Sequence, residues 1–207
     1  MLIELLFSNP AFFVTWLVAI TIGITVHEYF HALAATLQGD ATAEEQGRLT
    51  LNPLAHLDPL GTLMLVLIGF GYGRPVPFNP YNLRNKRFGP AIVGIAGPVA
   101  NLLMIVVFGL VLRGFASAGW STENLFIVLL VNLVQINVIL LIFNLIPIPP
   151  LDGSKVMFAL LPASMENIRT VLEQYGPWIL LGILIFGQGI FRPLFNFFLD
   201  SVFQALF

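Results

Sequence analysis

Cysteine is missing from this sequence altogether, which excludes a disulfide framework and any thiolate metal site. A transition metal here must be held by His, Asp or Glu. Charge is nearly as scarce. Charged residues fill 10% of the 207 positions, against about 25% in ordinary soluble domains. With a net charge of only −2 there is no basic surplus to suggest nucleic-acid binding. Histidine occurs three times. The first nine residues lack the basic flank of a cleavable signal peptide and carry Glu4 instead, so the first apolar segment is expected to be retained. No internal repeat, low-complexity tract or lipidation signature stands out.

What the chain has in abundance is apolar sequence. Hydrophobic residues make up 57% and mean hydropathy is +0.90, which places the protein in the membrane class. Charge-free runs mark the candidate spans, each needing about 20 residues. They are Phe12 to Leu37, Phe88 to Leu112, Asn124 to Leu151, and a run between Glu173 and Arg192 whose apolar sequence continues to Phe207. Leu60 to Tyr72 is about half as long, a length more typical of re-entrant or interfacial segments. The expected fold is all-α and polytopic, with about four to six transmembrane helices in a single domain over 1–207. Arg74, Arg84, Lys86 and Arg87 precede the second long run, and Lys155 and Arg169 follow the third. Two spans separate these groups, so they share one side, and the positive-inside rule makes it cytoplasmic.

Inside the first run stands His27-Glu28-Tyr29-Phe30-His31, and no formal charge precedes Glu28 back to Glu4. Positions i and i+4 share a helix face, so His27 and His31 are placed to ligate one metal ion. Glu28, about 100° round the helix, is placed to take a proton from water without ligating. Ionisable groups at this depth imply function by default. A catalytic zinc site needs a third protein ligand and an open position. Asp152 and His56 are both candidates. Asp152 follows Pro147, Pro149 and Pro150, which loosen the helix, and precedes Gly153, which allows a tight turn. His56 sits in the loop-like stretch Leu51 to Pro59. Only if Leu60 to Tyr72 dips in and returns can Asp152 meet the histidines from the same side. Residues Arg74 to Asn82, with three prolines, suit an extended edge or a proline-stiffened loop. An edge would offer strand addition to an unwound substrate.

Taken together, His27-Glu28-x-x-His31 and Asn144-x-x-Pro147-x-x-x-x-Asp152-Gly153 resemble the site-2 proteases, the intramembrane zinc metalloproteases of peptidase family M50. Gly97-Pro98-x-x-Asn101 is similar to a further signature in the family's intervening core helix, and Asn52 to Gly61 is similar to a stretch of its short bacterial members. The resemblance covers about Thr21 to Gly153. It implies a three-helix catalytic core within about 12–153, followed by a C-terminal helical segment at about 174–207. It also implies one Zn2+ ion held by His27, His31 and Asp152, with Glu28 as catalytic base and acid. The reaction implied is cleavage in or near transmembrane segments of protein substrates. Asn144, two helical turns before Asp152, becomes a candidate hydrogen-bond donor to the oxyanion or substrate backbone. Gly97 and Asn101 read as a close-packing pair, and His56 as an outer residue or part of a water path. Neither an inserted PDZ domain nor a cystathionine-β-synthase-type domain is evident. The implied location is a bacterial-type cell membrane, with the site toward the cytoplasm. The alternative is a membrane metal carrier using the same His and Asp residues. A carrier has no need of Glu28, and a non-catalytic scaffold needs none of the ligands.

Overall fold

A bilayer offers no partner for exposed backbone groups, so long apolar runs must close their hydrogen bonds internally as helices. The computed structural model, which describes residues 2–68 and 71–206, follows this rule. In chain order the helices are α1 (Leu2–Ser8), α2 (Pro10–Leu37), α3 (Thr42–Glu45), α4 (Pro59–Ile68), α5 (Gly89–Ser117), α6 (Leu125–Asn144), α7 (Asp152–Leu160), α8 (Glu166–Phe186) and α9 (Gln188–Leu206). Among the described residues no strand is present, only an isolated antiparallel bridge between Leu57 and Gly73.

The helix ends follow from local chemistry. Asn9 caps α2 by accepting from Phe12 N–H at 3.1 Å, with Pro10 beginning the helix. Gly39, at φ 99°, turns the chain just beyond its last turn. Asn124 caps α6 in the same way, through Phe126 N–H at 2.9 Å. The third apolar run is longer than its helix. α6 stops at Asn144, because Pro147, Pro149 and Pro150 cannot sustain a helical ladder. Residues 145–151 are therefore non-helical, and Asp152 opens a new helix.

Among the described residues, three helices are long and apolar enough to cross a membrane: α2, α5 and α6. They pack on one another in all three pairings. Ala19 and Ile20 of α2, Leu112 of α5, and Ile127, Leu130, Leu133 and Ile136 of α6 form the central cluster. Gly23 lets α6 approach until Leu140 would lie 3.1 Å from an added Cβ. Thr15 meets Asn132 near one end and His27 meets Asp152 near the other. α2 and α6 thus run parallel, with α5 antiparallel between them. Val99, Leu102, Leu103, Val106, Val107 and Leu110 stay exposed on α5, a patch that a water-soluble domain rarely tolerates and a lipid environment accommodates.

Of the Leu60 to Tyr72 segment, residues 69 and 70 lie outside the described residues. α4 fills most of the rest, and the chain then returns to its starting point. Gly73 bridges to Leu57, and Arg74 N–H donates to His56 O at 2.7 Å. Entry and exit lie side by side, as re-entry requires. The C-terminal sequence forms two helices that meet at Gly187, and α8 carries Glu166, Arg169 and Glu173 in its first half.

Candidate metal centre and cleft

His27 and His31 sit one turn apart on α2, each about 5% exposed, in the half of the helix nearer Leu37. Their Nε2 atoms are 3.0 Å apart. Asp152, the first residue of α7, brings Oδ2 to 3.1 Å from both. At bond lengths of about 2.0–2.1 Å, two ligands of a tetrahedral zinc lie about 3.3 Å apart, so this triangle is close to the one zinc requires. The proton inventory points the same way. His31 Nδ1 lies 2.6 Å from Val93 O, and a carbonyl only accepts, so Nδ1 carries a proton and, in the neutral ring, Nε2 presents a lone pair. His27 Nδ1 lies 2.7 Å from Asn101 Oδ1, which leaves its Nε2 bare as well. Two lone pairs and a carboxylate oxygen converge, an arrangement that calls for a cation.

The backbone makes room for it. A Cβ at Gly97 would lie 2.5 Å from His27 Cε1 and from His31 Nε2, so only glycine lets α5 pass behind both rings. A Cβ at Gly153 would lie 2.3 Å from Leu145 O. Glycine there lets α7 turn tightly against the end of α6 and aim Asp152 back at the histidines. The second carboxylate oxygen, Oδ1, accepts from Lys155 Nζ at 2.8 Å, so Asp152 offers the triangle a single oxygen.

Glu28 is the nearby carboxylate that does not join this triangle. A ligand oxygen of Glu28 lies within 4.8 Å of the imidazole nitrogens, yet its Oε2 accepts from Val76 N–H at 3.1 Å. Val76 belongs to the proline-rich stretch, which is extended without forming a strand. Arg48 ties that stretch down by donating to Arg74 O and to Pro75 O, the latter at 3.1 Å. Burial, reinforced by Arg74, pushes the buried Arg48 guanidinium below its ordinary value, while Glu28 pulls it upward. Farther along, Asp40 accepts from Asn79 N–H at 2.6 Å and from Asn82 and Thr42. Burial alone would raise the Asp40 carboxyl, but these donors outweigh it and hold the group below its ordinary value. Prolines at 75 and 77 have no N–H, and those of Arg74, Val76 and Asn79 are already donated. The stretch is better described as a stiff support for Glu28 than as an open edge for strand addition.

A cavity of about 400 Å3 opens beside these groups. Leu17, Ile20 and Ile24 of α2, Leu65 of α4, and Leu140 and Phe143 of α6 form its apolar wall, with His27, Glu28, His31, Asp152 and Asn144 among the polar groups that line it. Asn144 directs one amide N–H to Leu140 O at 3.0 Å, which leaves a second donor.

His27, Glu28, His31, Asp152 and Asn144 are thus brought together as the motifs suggested. His56 is not among them. It is fully buried, with Nε2 2.8 Å from Thr50 O, and its own carbonyl holds Arg74; it braces the loop. The close-packing reading of Gly97 holds, but that of Asn101 misses its contact with His27. Val93 O, Arg48 and Lys155 were missed as well. The Gly-Pro-x-x-Asn spacing was the one available signal, since it sets Asn101 one turn beyond Gly97 on the same face.

A model of peptidase family M50 matches residues 114–185, which include Asn144 and Asp152. YwhC of Bacillus subtilis (strain 168), named as a candidate zinc metalloprotease, is 36% identical over 203 residues, covering 92% of this chain and 91% of its own. Rip2 of Mycolicibacterium smegmatis, named in the same way, is 32% identical over 169 residues, 78% of this chain and 63% of its own. Rip2 of Mycobacterium tuberculosis (strain H37Rv) is 30% identical over 148 residues, or 67% and 52%. The Rip2 relatives thus extend well beyond what this chain matches. No solved structure gave a significant match. With a relative 36% identical and matched over nearly its whole length, this chain belongs to peptidase family M50.

Proposed function

We propose that this chain is an intramembrane zinc endopeptidase that cuts peptide bonds in or beside the membrane-spanning segments of other proteins. One observation carries the reading: three buried acceptors converge at the polar end of an apolar cavity, with a separate carboxylate alongside. His27, His31 and Asp152 hold the metal. When bound, zinc supplies a Lewis acid that activates water and polarises the scissile carbonyl. Glu28 takes the proton from that water and returns it to the leaving amine. Val76 N–H engages its Oε2, and on this reading Glu28 acts as base and not as a fourth ligand. Asn144 directs its second N–H to the oxyanion or to the substrate backbone. The aliphatic wall receives apolar side chains from an unwound stretch of substrate.

The site faces the cytoplasm on this reading. Arg84, Lys86, Arg87 and Lys155 lie at the end of the bundle where α2 and α6 finish and α5 begins. The cysteine-free chain allows a direct check, because a single Arg84→Cys variant should react with an impermeant thiol reagent only from the cytoplasmic side.

The activity is tested by reconstituting the protein, or its Glu28→Gln variant, with single-span membrane proteins and mapping the products by mass spectrometry. New termini within or next to the span, absent with Glu28→Gln, are expected. Cleavage confined to soluble loops, or equal cleavage by both proteins, would overturn the proposal.

A further inference from the structure

The contacts behind His27 form a chain whose direction is set by a single backbone carbonyl. Leu133 O can only accept, and Asn137 Nδ2 lies 2.7 Å from it. That orients the Asn137 amide and turns its Oδ1 toward Asn101. Asn101 Nδ2 donates to this oxygen at 2.8 Å. The Asn101 amide is then oriented in turn, so its Oδ1 faces His27 Nδ1 at 2.7 Å as an acceptor. Both asparagines are fully buried, so no water competes for these groups. Reversing either amide would set two acceptors or two donors face to face at depth, where unsatisfied polar groups are costly.

We infer that Asn137 and Asn101 are a tautomer-setting pair: anchored on Leu133 O, they hold His27 with its proton on Nδ1 and its Nε2 lone pair free for the metal. They are positioning residues. Neither reaches the ligand triangle, and Asn137 acts only through Asn101. The two metal-binding histidines are therefore held differently. His31 depends on a carbonyl of α5, which no side-chain substitution removes, whereas His27 depends on two side chains contributed by α5 and α6. Asn137 thereby links the packing of α6 to the competence of a ligand on α2. The inference rests on the reading that His27 ligates through Nε2.

Two measurements test it on the purified protein in detergent. Zinc affinity, from competition with a chromophoric chelator, should fall about 10–100-fold in Asn101→Leu, the usual cost of losing a partner behind a metal ligand. Asn137→Leu should weaken binding in the same direction, and the double variant should bind no worse than Asn101→Leu alone. In zinc-free protein carrying 15N-labelled histidine, the His27 signal should shift from the Nδ1-protonated form to a mixture in both single variants. The His31 signal should stay Nδ1-protonated, which a general loss of structure would not allow.

Unchanged affinity in Asn137→Leu, losses that multiply in the double variant, or joint loss of both histidine signatures would overturn the inference. Failure of the underlying ligand reading is distinguishable, since wild-type protein would then bind no zinc at His27 and the substitution His27→Ala would leave its affinity unchanged.

Discussion

Gly97→Ala is the smallest change that should disable this site. An added Cβ would meet His27 Cε1 and His31 Nε2 at 2.5 Å and His27 Nε2 at 2.6 Å. Ordinary contact begins near 3.4 Å, so α5 or the two rings must give way by about 0.9 Å, a displacement beyond what a close-packed interior absorbs freely. The rings are not free to yield, because Val93 O and Asn101 Oδ1 hold them at 2.6 and 2.7 Å. If α5 moves instead, those bonds stretch to about 3.5 Å, past the useful range. Either adjustment disturbs the ligand triangle. A misplacement of about 1 Å costs on the order of 100-fold in rate, and a disturbed outer contact costs about 10–100-fold in metal affinity. The fold itself should survive, since alanine is a better helix former than glycine by about 1 kcal/mol. Gly114→Ala on the same helix has nothing within 4 Å of its new Cβ and serves as the control. Substrate cleavage and zinc content of both variants, read beside their melting curves, check the reasoning. A Gly97→Ala protein within twofold of wild type in rate and zinc affinity would refute it.

Other outcomes follow from the same contacts. Val76→Pro deletes the N–H that Glu28 accepts and should lower kcat about tenfold, the equivalent of roughly one hydrogen bond to a charged group, with zinc content unchanged. Gly153→Ala drives a Cβ into Leu145 O and should release zinc by carrying Asp152 off the triangle, a loss that elemental analysis detects. The Asp40 carboxyl is held below its ordinary value, so its stabilisation is fully present above the ordinary carboxylate pKa. It is lost as pH falls through the lower folded value. Asp40→Asn should therefore destabilise the 40–82 region by about 1–3 kcal/mol at neutral pH and flatten the acid limb of the stability profile, as read by hydrogen exchange.

How much of this was legible beforehand depends on where each contact lies along the chain. His27, Glu28 and His31 fall within one helical turn, so local spacing suffices to place them on a common face. Asp152 was legible through its motif, though the end of α6 was not. Counting charges runs the apolar segment through to Leu151, whereas the three prolines stop the helix at Asn144. The outer contacts were hidden for a different reason. Val93 and Asn101 lie 62 and 74 residues from the histidines they hold, and beyond the Gly-Pro-x-x-Asn spacing nothing in an apolar helix announces which buried polar group faces a ring. His56 shows the opposite case. Its polar, proline-rich neighbours suggest an ordinary loop histidine, yet it is fully buried, with its ring on Thr50 O and the returning chain against its carbonyl.

The division of labour between the two carboxylates is the centre of this account, and zinc stoichiometry tests it most directly. Wild-type protein, Glu28→Gln and Asp152→Ala would be purified in parallel, and the zinc-to-protein ratio of each measured by elemental mass spectrometry. About one zinc per chain is predicted for the first two and close to none for Asp152→Ala, in keeping with a three-ligand catalytic site. A full complement of zinc in Asp152→Ala together with its loss from Glu28→Gln would contradict the account.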